Sequence, residues 1–282
     1  MNDEIEEKEG GFLKNASMDY PTWNEIEGLL GVTFKDLVNS FGGKPIKKVN
    51  KPIYSNIDVN IIKDFNAKTP CGIDIPVLLK PEPETDKPLI VILGESALRN
   101  KKELEDITND ASNNVILGTP YAIHLKECPP KCGVYRKIFD AILEKGYPIY
   151  LTDIIKVWSK DKKDSLLKPN DKDIEVFRNE LDILRNEINK NIIIVAWGKK
   201  AQNGLEEVRK SQEVVPPSLS LPHPGQRNWD AWKLRIFEKA VYDEGITYAK
   251  KRYPEKKSAT NEEIVANEVV EEIISFVEQH KK

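Results

Sequence analysis

Pro88-Leu89-Ile90-Val91-Ile92-Leu93-Gly94 is the stretch on which the fold turns. A short, wholly apolar run that ends at a glycine reads as a strand buried on both faces of a parallel sheet. Three similar runs follow it. Residues 147–151 come after a helical stretch closed by Gly146, residues 192–197 end at Gly198, and residues 217–222 are bounded by Pro217 and Pro222. Between the runs lie helical patterns. Over residues 171–190, Ile174, Phe177, Leu181, Leu184 and Ile188 repeat at spacings of 3, 4, 3 and 4, with Pro169-Asn170-Asp171 as the start signal. Residues 133–145, 199–210 and 228–252 also read as helix. Strands alternating with helices predict an α/β protein, a three-layer α/β/α sandwich around a central, mainly parallel four-stranded sheet.

Three regions are expected. Residues 87–253 form the α/β domain. Residues 1–86 form an N-terminal extension, partly helical over 25–41, that either extends the flank of the sheet or recruits a partner, and Pro81-Glu82-Pro83-Glu84 reads as a linker. Residues 254–282 form a charged linker and a C-terminal helix that Thr260 caps. In that helix Ile264, Val269, Ile273 and Phe276 lie loosely on one side, ready to pack on the domain or on another chain.

The mean hydropathy of −0.50 and the absence of an apolar run near 18 residues exclude a transmembrane helix. The opening Met1-Asn2-Asp3-Glu4-Ile5-Glu6-Glu7 has neither the apolar core of a secretory signal nor the arginines of a transit peptide. Cys71, Cys128 and Cys132 are too few for a disulfide scaffold, so a cytoplasmic protein is expected. The net charge of −3 argues against a nucleic-acid partner only until it is located. Residues 1–9 carry −4 and residues 254–282 carry −3, which leaves about +4 on residues 10–253. That excess is mild beside the basic stripe of a dedicated DNA binder.

Nucleotide motifs are missing. Gly42-Gly43-Lys44 lacks the first glycine and the Ser/Thr of a phosphate loop, and no G-x-G-x-x-G follows a strand. His124, Cys128 and Cys132 are spaced four apart, but Pro129-Pro130 breaks the helix that such spacing needs and a fourth ligand is missing. No metal and no cofactor are expected.

The informative residues are those just past the strand ends, where ligands of parallel α/β sheets bind. They are Gly94-Glu95-Ser96, then Thr152-Asp153, then Gly198-Lys199, then His223-Pro224, with Gly118-Thr119-Pro120-Tyr121 presenting an aromatic ring. Each has a plainer reading alone. Glu95 suits a helix N-terminus, where the dipole favours an acid. Asp153 suits a turn, Tyr121 an ordinary core, and a His-Pro pair a loop. Their order and joint placement point to a site.

That order resembles the uracil-DNA glycosylase superfamily over roughly residues 88–250. It is most similar to the branch whose motifs read Gly-Glu-Ala-Pro-Gly, Gly-x-Pro-Phe, Thr-Asn-x-x-Lys and His-Pro-Ser. The counterparts are Gly94-Glu95-Ser96-Ala97, Gly118-Thr119-Pro120-Tyr121, Thr152-Asp153-Ile154-Ile155-Lys156 and His223-Pro224-Gly225. Residues 195–201 also resemble the third strand and following helix start of that family. The resemblance implies a hydrolase that flips a base from DNA and cleaves its N-glycosidic bond. By that resemblance Glu95 orients or deprotonates the water and His223 hydrogen-bonds the departing base. Tyr121 stacks on the base, while Gly94, Ser96 and Asp153 hold it. Lys156 and Arg227 contact DNA, Arg227 from where the family inserts a side chain into the stack.

The chain departs from the pattern in several places. Ala97 and Leu98 follow Ser96 where the family has proline, residues 99–114 form a charged insertion, and three cysteines cannot make the four-cysteine iron–sulfur cluster of that branch. Gly225 replaces serine and Asp153 replaces asparagine. Asparagine both accepts from uracil N3–H and donates to O4, whereas an ionised aspartate only accepts. Asp153 therefore suits a base edge with adjacent donors, or uracil if the carboxyl is protonated by burial. A non-catalytic relative that binds nucleic acid or a nucleotide in the same pocket is the competing expectation.

Overall fold

In the computed structural model the run at residues 89–93 lies in the middle of a mixed sheet. The structure describes residues 16–19, 53–58, 70–74, 76–81, 83–96, 114–118, 120–122, 133–155, 157–159, 168–211, 215–225, 228–244 and 261–280. The sheet is formed by β1 (Ala16–Asp19), β4 (Val77–Pro81), β7 (Ile149–Ile155), β5 (Leu89–Ser96), β9 (Ile192–Trp197) and β10 (Ser218–Leu221), in that spatial order. Strand β5 pairs in parallel with β7 and β9, and β10 in parallel with β9. On the other flank β4 runs antiparallel to β7, and β1 antiparallel to β4. The sheet is therefore larger than the four strands marked by the apolar runs, and mixed. The two added strands come from the N-terminal stretch. The expected linker at 81–84 overlaps β4 only at Pro81, and Val77, Leu78 and Leu79 ahead of it are wholly buried.

Side chains alternate across a strand with period two, and β5 divides its residues accordingly. Ile90 and Ile92 join a cluster with Ile149, Leu151, Ile193, Val195 and Trp197, together with Val134, Ile138, Phe139 and Ile142 from helix α1 (Gly133–Glu144). Leu89, Val91 and Leu93 join a second cluster, with Phe177 and Leu181 of α2 (Asp171–Ile183) and Leu205 and Val208 of α3 (Lys199–Ser211). Each such side chain stabilises the fold by about 1.5–3 kcal/mol on burial.

Helix α2 begins where its start signal lies. Asn170 accepts from the Asp173 N–H, and Asp173 accepts in return from the Asn170 N–H, both at 2.9 Å. It ends before residue 190, because Leu184–Ile188 widen into a π turn closed by the Asn189 N–H on the Leu184 carbonyl at 2.9 Å. Helix α4 (Trp229–Glu244) covers the first part of its expected span, and residues 245–252 lie outside the described residues. The last helix, α5 (Asn261–Gln279), packs on the domain's own α1 through Val265, Val269, Ile273 and Val277. Arg235 of α4 donates twice to the Glu272 carboxylate of α5, at 2.7 Å each.

A second sheet, ordered β2-β6-β3-β8, is built from β2 (Ile53–Asp58), β6 (Asn114–Gly118), β3 (Pro70–Asp74) and β8 (Val157–Ser159). It grows from the carboxyl ends of the first sheet, since a single residue separates β8 from β7 and β6 leads into the turn at Tyr121. The expected helix at 25–41, the insertion at 99–113, and His124, Cys128 and Cys132 lie outside the described residues. Among the described residues no helix is long and apolar enough to cross a membrane, and no group of three His, Cys, Asp or Glu is placed to hold a metal ion.

Candidate functional site

The chain leaves β5 for β7 on one side and then crosses back to β9 on the other, so β5 is a topological switch point. Open α/β sheets bind ligands beyond the carboxyl ends of the strands at such a point. Glu95, Ser96 and Asp153 lie at that end, though within the strands rather than past them. Pairing continues through Gly94 opposite Asp153 and Ser96 opposite Ile155.

Gly94 is the floor of the site. Asp153, itself buried, lays its carboxylate against the glycine; a Cβ there would overlap Asp153 Oδ1 and come 2.7 Å from the Tyr121 hydroxyl. Only glycine lets the two groups meet. Tyr121 follows β6 in a short 3-10 turn and is the only described non-glycine residue with positive φ, at φ 58° and ψ 17°. Holding a tyrosine there costs about 1–3 kcal/mol, which its surroundings must offset. Three rings do so: Tyr135 at 4.8 Å, Phe139 at 5.4 Å and Trp197 at 5.5 Å between centroids. Burial pushes the Tyr121 hydroxyl well above its ordinary value of 10.0, and the charge of Asp153 pushes it further, so it stays protonated and can donate. Among the described residues the Tyr121 hydroxyl, Ser96 Oγ and Trp197 Nε1 are buried without a hydrogen-bond partner.

Glu95 faces the other way. Its Oε1 accepts from the Lys200 N–H at 3.1 Å, in the first turn of α3, where a carboxylate meets the positive end of the helix dipole. Gly198, at φ 86°, makes room, since a Cβ there would overlap this carboxylate. Glu95 nonetheless reaches the rest of the site electrostatically. Burial lowers the Lys200 ammonium and the His223 imidazole from their ordinary values, and the Glu95 charge opposes the shift in both.

His223 sits on the loop after β10. That loop is held by Gln202 Nε2 and the Gly198 N–H, which donate to the Leu221 carbonyl at 3.1 and 3.0 Å, and by Trp229 Nε1 on the Pro224 carbonyl at 3.1 Å. The Gly225 N–H donates to His223 Nδ1 at 3.2 Å, and the Tyr135 hydroxyl lies 3.5 Å from the same nitrogen. With Nδ1 accepting, the neutral ring carries its proton on Nε2. A Cβ at Gly225 would come 2.8 Å from the Tyr135 hydroxyl. Tyrosine 135 thus fills the space that a serine at 225 would need.

The structure brings Gly94, Glu95, Ser96, Tyr121, Asp153 and His223 to one rim. Lys156 and Arg227 lie outside the described residues. Sequence reasoning missed Tyr135, Phe139 and Lys200. Tyr135 and Phe139 share one face of α1 at a spacing of four, a pattern that local sequence assigns to the core. No family model, no curated protein and no solved structure matches the chain. What the site does has to be judged from its own chemistry.

Proposed function

We propose that the protein is a DNA glycosylase of the uracil-DNA glycosylase type, which hydrolyses the N-glycosidic bond of a base flipped from the stack. The observation that carries this reading is the meeting of Asp153 and Tyr121 over Gly94, with Glu95 near enough for its charge to act on both Tyr121 and His223. The three-layer α/β/α arrangement belongs to the same proposal, with the two apolar clusters in support of it. As the bond from the sugar to the base breaks, negative charge builds on the base. The His223 Nε2–H donates to an acceptor atom there, as an oxyanion hole does. The Glu95 carboxylate stabilises the cationic sugar and takes the proton of the water that attacks it. Lys156 and Arg227 contact the DNA backbone and stack.

Oligonucleotides carrying uracil, hypoxanthine, xanthine or damaged guanine, treated with the protein and then with mild alkali, test this. Cleavage at one of these bases that falls by about 10²–10³-fold in His223→Ala is expected. Cleavage that survives the substitution undiminished overturns the role of His223. A second reading, a non-catalytic nucleic-acid binder, is favoured by one observation: Glu95 already serves as the acceptor at the start of α3. Retention of the oligonucleotides without cleavage of any base would establish it instead.

A further inference from the structure

The amino ends of the parallel strands border a cleft of about 160 Å³ that opens to solvent on one side. Pro88 before β5, Ile192 at the start of β9 and Pro217 before β10 place it there. Its walls are apolar, with Ile192 and Pro216 buried and Val215 half-buried. Arg185 and Lys190 bring positive charge, with His280 beside them, and among the described residues no carboxylate lines the cleft. Arg185 stands 3.8 Å from Asp182, a partly exposed pair worth little, and a guanidinium has donors for more than one partner. A cavity of about 150 Å³ takes one benzene-sized apolar group. The occupant that fits is a segment with one aliphatic side chain set between carboxylates.

The start of the chain has that pattern. Asp3-Glu4-Ile5-Glu6-Glu7 sets Ile5 among four acids, and residues 1–9 carry a net charge of −4. These residues lie outside the described ones, whereas β1, which follows them, is described. Strand β1 runs antiparallel to β4, and β4 antiparallel to β7, so β1 runs with the parallel strands and Ala16 enters it from the amino rim. From β1 to β9 the sheet crosses four strand spacings, about 19 Å at about 4.8 Å each. The eleven-residue step from Ile5 to Ala16 spans about 36 Å when extended, so the segment reaches the cleft.

We propose that the chain's own residues 3–7 dock in this cleft, Ile5 against Ile192, Val215 and Pro216 and the flanking carboxylates on Arg185 and Lys190. Docking holds the acidic segment at the end of the sheet opposite the candidate site. The eight residues of β5 separate the two rims by about 26 Å, roughly three Debye lengths at physiological salt. The segment's charge is thereby screened from whatever the site binds. The docking itself does not depend on the glycosylase reading.

Disulfide trapping in the full chain tests this. Ile5→Cys is combined in turn with Val215→Cys in the cleft, with Pro217→Cys at its exposed edge, and with Lys199→Cys, exposed on the opposite rim at the start of α3. Oxidised glutathione takes the two electrons as the thiol sulfurs bond. Peptide mapping by mass spectrometry separates these links from any made by Cys71, Cys128 or Cys132. Within monomers, links from position 5 to 215 or 217 are expected to form about 10-fold faster than links to 199, because docking raises the effective concentration. Either anchor in the cleft suffices. Arg185→Glu together with Lys190→Glu should erase the preference, since both attractions become repulsions. If neither anchor links faster than 199, or if the charge reversal changes nothing, the inference is overturned. Links to the cleft found only in covalent dimers overturn it too, and give the cleft to the segment of a second copy.

Discussion

At the amino ends of the parallel strands, polar groups are tied off. Asn189 Nδ2 donates to the Lys87 carbonyl at 2.9 Å while its Oδ1 accepts from the Asn191 N–H at 2.8 Å. The Thr85 hydroxyl and the Lys87 ammonium donate to the carbonyls of Gly146 and Lys145, and the Tyr147 hydroxyl donates to Glu278. At the carboxyl ends the same fold leaves Ser96, Tyr121 and Trp197 with buried polar atoms that no described group satisfies, and holds Tyr121 at positive φ. Each unmade hydrogen bond costs about 1–3 kcal/mol. That contrast supports placing the proposed site at the second rim, since local rules tend to be broken where function demands it. The two ends differ in their polar groups, not in their apolar support, since β5 and β9 are buried along their central residues.

Three changes would sharpen the contrast. The largest effect belongs to Trp197→Ala. Trp197 is wholly buried, stacks on Phe139 at 6.0 Å and meets Tyr121 and His223, so its removal should destabilise the fold by about 3–5 kcal/mol in urea unfolding. A loss below about 1 kcal/mol would show that this cluster is not part of the core.

The next effect is a pH dependence. Burial lowers His223 from its ordinary 6.5, with Glu95 opposing. Above pH 6.5 the ring is neutral in both folded and unfolded chains, and its contribution is fully present. As the pH falls below 6.5 the unfolded chain takes up a proton that the folded chain refuses, so stability drops until the folded value is passed. His223→Gln should remove this part of the decline, read from urea midpoints between pH 7 and 5; an unchanged slope would place the imidazole in a water-like setting.

The smallest effect is at the satisfied rim. Asn189→Ala should lower stability by about 1 kcal/mol, the net worth of an ordinary hydrogen bond, and leave cleavage or binding at the other rim unchanged. A loss of function there would couple the two ends.

Much of the scaffold was legible because its signals are local. The run at residues 192–197 stops at Gly198 and is strand β9, and Asn170 with Asp173 caps α2 as the start signal requires. Strand β4 was illegible because its apolar run, Val77 to Leu79, is short and ends against the proline-rich stretch that begins at Pro81. Proline at a strand end forfeits only one donor, and Val77, Leu78 and Leu79 supply the buried pairing with β7. That Gly94, Glu95, Ser96, Tyr121, Asp153 and His223 lie at one end of the sheet was legible, but which of them face one another was not. Glu95 and Gly94 are neighbours in sequence and face opposite sides of a pleated strand, so one meets α3 and the other Asp153.

What the sequence determined by itself is the alternation of buried strands with capped helices and the position of polar residues at one end of those strands, because periodicity and turn chemistry act over a few residues. Tertiary structure alone decided which of those residues meet. A register slip of one residue between β5 and β7 would send Asp153 to the other face of the sheet, away from Tyr121. Contacts as distant in sequence as Tyr135 to His223 depend on such registers and on helix packing, and no local pattern encodes them.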